Sequence, residues 1–444
     1  MAGNAREIAF LTLRACEKQG AWSDLSLKNQ LRSAGLGSRD AALATRLCFG
    51  VLQYRMLLDY YIGSFSSVKL EQLELGILEA LRLGVYQIIF LDRIPPSAAV
   101  NESVKLAKKF SKNPRSPGLV NGILRAVARS ADSLPEVKAA NTAEILSIRY
   151  SHPLWLVEQF LDLLGPEETE QLLAANNGEP PTTAQVNTIR ADRQTVLRSL
   201  FDEGANPLPH PWLPECLTLT GGGDLERFSA FQRGDIYIQD TAARLAVMAA
   251  NPKSGMRVLD ACAAPGGKSF AAAIAMEDKG EVFSCDIHPH KESLIQSGAE
   301  RLGLRCIHAG TQDAKQRRPE WEETFDLVIA DVPCSGLGII RKKPDIRYKM
   351  PEPLENLPIV QSSILENVST YVKPGGTLLY CTCTLLEREN AMVTEGFLQN
   401  HPEYLPETFQ LPGPGGLLEG QQLTLWPHLH GTDGFYIAKM RKQK

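Results

Sequence analysis

The sequence predicts a multidomain chain: an all-α bundle, then a small α+β linker unit, then an α/β domain. Three observations carry this reading. Apolar residues recur at spacings of three and four from about residue 4 to residue 130. Short alternating stretches edged by Pro and Gly occupy the middle. From about residue 241 strands and helices alternate, the pattern of an open, mostly parallel sheet with helices on both faces. The boundaries that follow are 1–140, 141–239 and 240–444.

Ile8, Leu11, Leu13 and Ala15 open the first amphipathic stretch, Ala41–Tyr61 makes the next, and Leu70–Phe90 a third. Ile94-Pro95-Pro96-Ser97 interrupts the pattern and Ala98–Phe110 resumes it. Pro114 and Pro117 break it again before a helix over Leu119–Ala128, because proline ends one helix and opens the next. In the middle unit Ala184–Ile189 and Leu217–Thr220 read as strands and Gln194–Glu203 as a helix. In the last domain, strands are predicted at Arg257–Asp260, Val282–Asp286, Cys306–Ala309, Phe325–Asp331, Gly376–Cys381 and Phe435–Met440. Helices are predicted at Lys268–Met276 and Ile359–Val372.

With 444 residues, 43% hydrophobic and 22% charged, the chain is not disordered as a whole. No apolar run approaches the ~18 residues of a membrane helix. The start, with Arg6, Glu7, Arg14, Glu17 and Lys18, lacks a secretory signal's apolar core. Nine cysteines, irregularly spaced, make no disulfide framework. The expectation is a protein of the reducing cytoplasm, without a membrane partner. A net charge of −4 means that nucleic acid, if bound, must be held by local basic patches.

The most informative loop is Cys262-Ala263-Ala264-Pro265-Gly266-Gly267-Lys268, between a strand and a helix. There backbone N–H groups and the helix N-terminus can face a polar ligand, and glycine lets the backbone approach it. Asp286 ends the next strand, where a carboxylate can receive ribose hydroxyls. The loop is neither G-x-G-x-x-G nor a complete phosphate-binding G-x-x-x-x-G-K-[ST], which disfavours a dinucleotide. It resembles the cofactor loop of S-adenosylmethionine-dependent methyltransferases, a Rossmann-like fold. That resemblance implies a pairing of Asp313, after the third strand, with the adenine amino group.

The fourth strand ends Asp331-Val332-Pro333-Cys334 and the fifth ends Cys381-Thr382-Cys383-Thr384, at the edge where open α/β sheets place their chemistry. Methyltransferases acting on an exocyclic amine carry an aromatic ring where Cys334 stands. Carbon 5 of cytosine is a poor nucleophile, and a thiolate added to carbon 6 converts it into an enamine-like carbon. Asp331 is available to stabilise protonation at the ring nitrogen.

These residues make the chain similar to the RNA cytosine-5 methyltransferase family, within it to the bacterial small-subunit ribosomal RNA type with a NusB-like N-terminal domain. The likeness is strongest in Gln239-Asp240, Asp260–Lys268, Asp331–Gly336 with Arg341-Lys342-Lys343-Pro344-Asp345, and Cys381–Thr384. It implies methyl transfer from S-adenosylmethionine to carbon 5 of a specific cytidine in 16S ribosomal RNA by a monomeric enzyme. The cofactor would be held by Cys262–Lys268, Asp286, Asp313 and Asp331; Cys383 would be the nucleophile, and Cys334 the thiol that serves product release. Cys381 reads as a packing residue and a decoy for the nucleophile; Cys16, Cys48, Cys216, Cys285 and Cys306 also read as packing.

Lys105, Lys108, Lys109 and Lys112 fall on one predicted helix face and, with Arg125, could meet RNA phosphates. Arg341, Lys342 and Lys343 open a second basic run, Arg341–Lys349, which with Tyr348 could track a single strand beside the thiols. No metal is expected: His288-x-His290 and His428-x-His430 occur, but no Cys-x-x-Cys does, and these histidines lie in loop-like context. Two other readings stay open, the same chemistry on transfer RNA and a non-catalytic RNA-binding or ribosome-assembly factor.

Overall fold

The N-terminal helices stop where their own residues forbid continuation. In the computed structural model, which describes residues 4–19, 22–220, 225–349 and 354–444, they are α1 (Ala5–Gln19), α2 (Ser23–Ala34), α3 (Ser38–Phe65), α4 (Leu75–Phe90), α5 (Pro96–Phe110) and α6 (Ser116–Arg129). Prolines occupy the first turns of α5 and α6, where a missing N–H costs nothing. Phe10, Leu47, Leu58, Ile62, Leu81, Leu83 and Leu124 form the shared core, each worth about 1.5–3 kcal/mol of burial. The predicted start of α4 moves: Leu70–Gln72 is a separate 3-10 turn. Helix α2 has no counterpart in the sequence reading, since its buried residues are only Ser23 and Leu27. Two further helices, α7 (Thr142–Tyr150) and α8 (Leu154–Asn176), follow, the second kinked at Gly165-Pro166. They belong to the same compact unit, which runs to Gly178 and takes in Ile340–Lys349.

The second compact unit holds Glu179–Ile339 and residues 354–444. It begins with β1 (Thr182–Val186), α9 (Arg193–Asp202), β2 (Asn206–Pro209), β3 (Cys216–Thr220), α10 (Ser229–Gln232) and β4 (Ile236–Ile238). The strands make an antiparallel sheet in the order β2-β3-β1-β4, closed by Val196 and Leu200 of α9.

After α11 (Thr241–Ala250), β5 (Arg257–Asp260), α12 (Gly267–Ala275), β6 (Glu281–Asp286), α13 (Pro289–Leu302), β7 (Ile307–Thr311), β8 (Phe325–Asp331), α14 (Leu357–Ser369), β9 (Val372–Thr382) and α15 (Ala391–Asn400) alternate. The chain closes with β10 (Tyr404–Pro406), the hairpin β11 (Phe409–Gly413) and β12 (Gly416–Gly420), β13 (Gln422–Leu425), α16 (Pro427–His430) and β14 (Phe435–Lys442). The main sheet runs β10-β14-β9-β8-β5-β6-β7, with β13 also on β14. Strands β5 to β9 are mutually parallel, and β14 is antiparallel to β9. Side chains alternate between faces: Val258, Leu327, Leu379 and Cys381 pack with α11–α13, and Leu259, Val328, Leu378 and Tyr380 with α14 and α15. Because β5 lies between β6 and β8, the order reverses there, and the crevice at the carboxyl ends is the binding position for this architecture.

The sequence reading ran α14 on to Val372 and began the strand at Gly376. In the structure Val372 already pairs with Phe325, and the residues up to Gly376 lie in the strand beside a register shift.

Candidate active site

The strand ends bring three groups of side chains to this edge. The loop after β5 is tied to its neighbours by Ala261 N–H donating to Ile329 O at 3.0 Å and Ala263 N–H to Cys285 O at 2.7 Å. Gly266 turns at φ +108°, and a Cβ there would sit 2.5 Å from the Phe270 ring. Asp260, fully buried, accepts from the Ser269 hydroxyl at 2.7 Å. Burial pushes its carboxyl up to about 7, against the Ser269 hydrogen bond. Lys268 does not project into open space: its Nζ donates to Asp331 Oδ2 at 2.5 Å, which joins the loop to the end of β8. Burial alone would lower the Lys268 pKa, but Asp331, Cys381 and Asp260 together outweigh it and the net shift is upward. Burial, then Asp331, pushes the Cys262 thiol up.

Asp286 is buried at the end of β6 and accepts from His288 N–H at 3.1 Å and Lys291 Nζ at 3.4 Å. Its carbonyl accepts from Gln312 N–H at 3.0 Å. Asp313 follows in the turn beyond β7, where its Oδ1 accepts from Lys315 N–H at 3.0 Å. Beside Gly267 lies Gln239, which no motif singles out as a ligand-binding residue: its amide is buried, and neither its Nε2 nor its Oε1 has a partner among the described residues. A Cβ on Gly267 would stand 3.2 Å from Gln239 Nε2. Unpaired buried amide atoms are costly; beside a glycine turn and a strand-end carboxylate, they fit a polar ligand bearing hydroxyl and amino groups.

The third group is thiol. Cys334 Sγ and Cys383 Sγ are 3.3 Å apart. The hydrogen bond to Cys383, and then burial, hold the Cys334 thiol well above its ordinary value. Gly338 N–H donates to Cys383 O at 2.9 Å, and the absence of a Cβ lets Gly338 pass against Gly434, whose N–H donates to Gly338 O at 2.8 Å. Cys381 lies within the strand, fully buried in the core with Leu379 and Ile437. Its Sγ contacts Asp331 Oδ1 at 3.5 Å, and burial, then Asp331, pushes the thiol well up.

The basic residues are only partly as expected. Lys105, Lys108, Lys109 and Arg125 are exposed, but Lys105 pairs with Glu102 at 2.6 Å and Lys109 with Glu7 at 2.5 Å. Helix α5 ends at Phe110, so Lys112 stands in the following turn and not on the helix face. Within the run Arg341–Lys349, Arg347 and Tyr348 are not available to a strand of RNA. The segment packs within the helical unit because its cation and ring find partners there. Arg347 is fully buried: Nη1 donates to Gln53 O at 3.0 Å, Ser151 O at 3.2 Å and Asn177 Oδ1 at 2.8 Å. Burial lowers its pKa to about 10. The Tyr348 ring lies under the Arg55 guanidinium at 3.6 Å, and its hydroxyl donates to Leu52 O at 2.7 Å. Lys343 pairs with Asp24 at 3.3 Å; Arg341 and Lys342 are half-buried.

Among the described residues no three His, Cys, Asp or Glu side chains converge as a metal site, and no helix is long and apolar enough to cross a membrane.

The chain is similar to known proteins along its whole length. Residues 247–441 match the family described as 16S rRNA methyltransferase RsmB/F, residues 3–129 the NusB family, and residues 152–226 the ferredoxin-like domain of RsmF/B-like methyltransferases. A probable ribosomal RNA small subunit methyltransferase B of Bacillus subtilis is 38% identical, with 99% of each chain covered. Ribosomal RNA small subunit methyltransferase B of Erwinia tasmaniensis is 34% identical over 99% of each. The solved structure of PH0851 superposes with a TM-score of 0.80 at 26% identity, covering 100% of both chains. A methyltransferase homologue from Pyrococcus horikoshii covers 68% of this chain and 100% of its own, with a TM-score of 0.59 at 27% identity.

Proposed function

Because this chain belongs to the RsmB/F family of 16S rRNA methyltransferases, an RNA methyltransferase with a NusB-like helical domain, we propose that it methylates carbon 5 of a cytidine in small-subunit ribosomal RNA through a covalent cysteine adduct. The observation that carries this is the 3.3 Å approach of Cys334 and Cys383 at the ends of adjacent parallel strands. A transferase acting on an exocyclic amine has no use for such a pair.

Gln239, the 262–268 loop, Asp286 and Asp313 would hold S-adenosyl-L-methionine, with Asp286 on the ribose and Asp313 on the adenine amino group. When bound, the cofactor supplies an electrophilic sulfonium methyl group. The Cys383 thiolate adds to carbon 6, and the electron pair of the C5=C6 bond moves toward carbon 5, which becomes nucleophilic. As carbon 6 is attacked, ring nitrogen 3 takes up a proton from water and gives it back on elimination; Asp331, oriented by Lys268, accepts a hydrogen bond from that N–H and stabilises it. Cys334 releases its proton to water, and its thiolate then takes the proton from methylated carbon 5. That C–H pair re-forms the C5=C6 bond and Cys383 leaves as thiolate.

The exposed Lys105, Lys108 and Arg125 of the helical unit would meet RNA phosphates. Incubation of under-methylated small-subunit RNA with enzyme and methyl donor, followed by nucleoside mass analysis, tests the reading. It should yield 5-methylcytidine; a methyl group found only on an exocyclic amine or a ribose would overturn it.

A further inference from the structure

Both cysteines stand just beyond strand ends, and two consecutive residues outside the predicted site hold the residues that flank them. Glu389 is 0% exposed. Its Oε2 accepts from Ser335 N–H at 2.8 Å and from Gln361 Nε2 at 2.9 Å. Gln361 Nε2 also donates to Pro333 O at 3.1 Å. The residues before and after Cys334 are therefore held by one carboxylate and one amide. Asn390 repeats the arrangement around the other sulfur. Its Oδ1 accepts from the Thr382 hydroxyl at 2.6 Å, and its Nδ2 donates to Thr384 O at 3.0 Å, the residues on either side of Cys383. The two grips are joined by the Ser335 and Thr384 hydroxyls at 2.6 Å. The Tyr380 hydroxyl, donating to Glu389 O at 2.6 Å, fixes the pair to β9.

A buried carboxylate carries a large desolvation cost, and Glu389 Oε1 has no partner among the described residues. Gln361, its side-chain donor, is neutral, and among the described residues Glu389 makes no ion pair that would repay that cost. A stabilising role would be served better by an apolar residue. A carboxylate is needed where one acceptor must take two N–H donors at a fixed place.

We infer that Glu389 and Asn390 are positioning residues with separate duties: Asn390 aims the sulfur that adds to the base, and Glu389 aims the sulfur that resolves the adduct. The inference rests on the roles proposed above for Cys383 and Cys334. Neither residue need touch RNA, so their loss should change the rates of single steps and leave the affinity for RNA in place.

The test follows the adduct. Asn390→Ala and Glu389→Ala are mixed with labelled small-subunit RNA and S-adenosylmethionine beside wild type and Cys334→Ala, and the denaturation-resistant protein–RNA species is timed on a gel. Asn390→Ala should form it about a hundredfold more slowly, with KM for RNA unchanged. Glu389→Ala should form it at the wild-type rate and then accumulate it, as Cys334→Ala does. Asn390→Asp and Glu389→Gln, close in shape, should show the same separation to a smaller degree and serve if the alanine variants misfold. Equal slowing of formation and resolution in both pairs, or a loss only of RNA affinity, would overturn the inference. If Cys334→Ala itself accumulated no adduct, the covalent reading would fail instead, whatever the Glu389 and Asn390 variants did.

Discussion

Cys334 and Cys383 are 49 positions apart in sequence, yet their sulfur atoms approach to 3.3 Å. Two adjacent parallel strands, β8 and β9, end at the same level, with Asp331 opposite Cys381, and deliver one cysteine each beyond that level. Cys381, two residues before Cys383, lies on the same side of the pleat but within the strand, fully buried in the core, whereas Cys383 stands beyond the strand end.

That placement separates the two thiols of the Cys-Thr-Cys run. Cys381→Ala should retain adduct formation and turnover, at a cost of about 1 kcal/mol in stability from the lost packing. A single-turnover assay with a denaturant titration reads both. Loss of the adduct in this variant would make Cys381 the nucleophile.

Asp286→Ala should weaken S-adenosylmethionine binding by about 1–3 kcal/mol, the scale of a hydrogen bond to a charged group. Calorimetry on the full chain checks this. Unchanged affinity would remove Asp286 from the cofactor site.

Asp260 gives a dependence on pH. Its folded-state pKa, pushed to about 7 by burial from 3.8, means that the native state binds this proton more tightly than the unfolded chain. Its contribution to stability is therefore full below about pH 4 and is lost as pH rises through about 7, amounting to about 4 kcal/mol at most. Asp260→Asn, which stays neutral, should be spared that loss. Denaturation at pH 5 and pH 8 should show a smaller fall for the variant than for wild type; parallel profiles would refute the assignment.

The two basic runs should respond differently. Arg347→Ala leaves buried carbonyls unpaired and should destabilise the protein by about 3 kcal/mol. Lys108→Glu combined with Arg125→Glu should leave stability unchanged, weaken RNA binding and flatten its salt dependence. Full RNA affinity and salt slope in the double variant would reduce that surface to a solvated face.

Much of the site is legible in the sequence because its parts are local. A strand, a glycine turn and a helix start announce the 262–268 loop, and a Pro-Cys or Thr-Cys pair after a strand announces each thiol. What is carried by distant contacts is not legible. Arg347 reads as one more cation in a basic run until the carbonyls of Gln53 and Ser151 surround it. Glu389 and Asn390 lie in a turn with no motif, and only the approach of Ser335, Gln361, Thr382 and Thr384 gives them work. Helix α7 did carry a signal: the Asn141 side chain accepts from Glu144 N–H while Glu144 reaches back to Ala140 N–H, a capping pattern three residues long. Helix α8 hid behind Pro153 and the Gly165-Pro166 kink, which break its periodicity.

The central claim is that two thiols divide one reaction, and a denaturing gel with labelled small-subunit RNA measures it directly. Cys383→Ala should give neither product nor a covalent species, because no thiolate remains to activate carbon 6. Cys334→Ala should give no turnover but a persistent adduct, because addition and methyl transfer proceed while elimination stalls. An adduct that persisted in Cys383→Ala and was missing in Cys334→Ala would contradict the account and exchange the two roles.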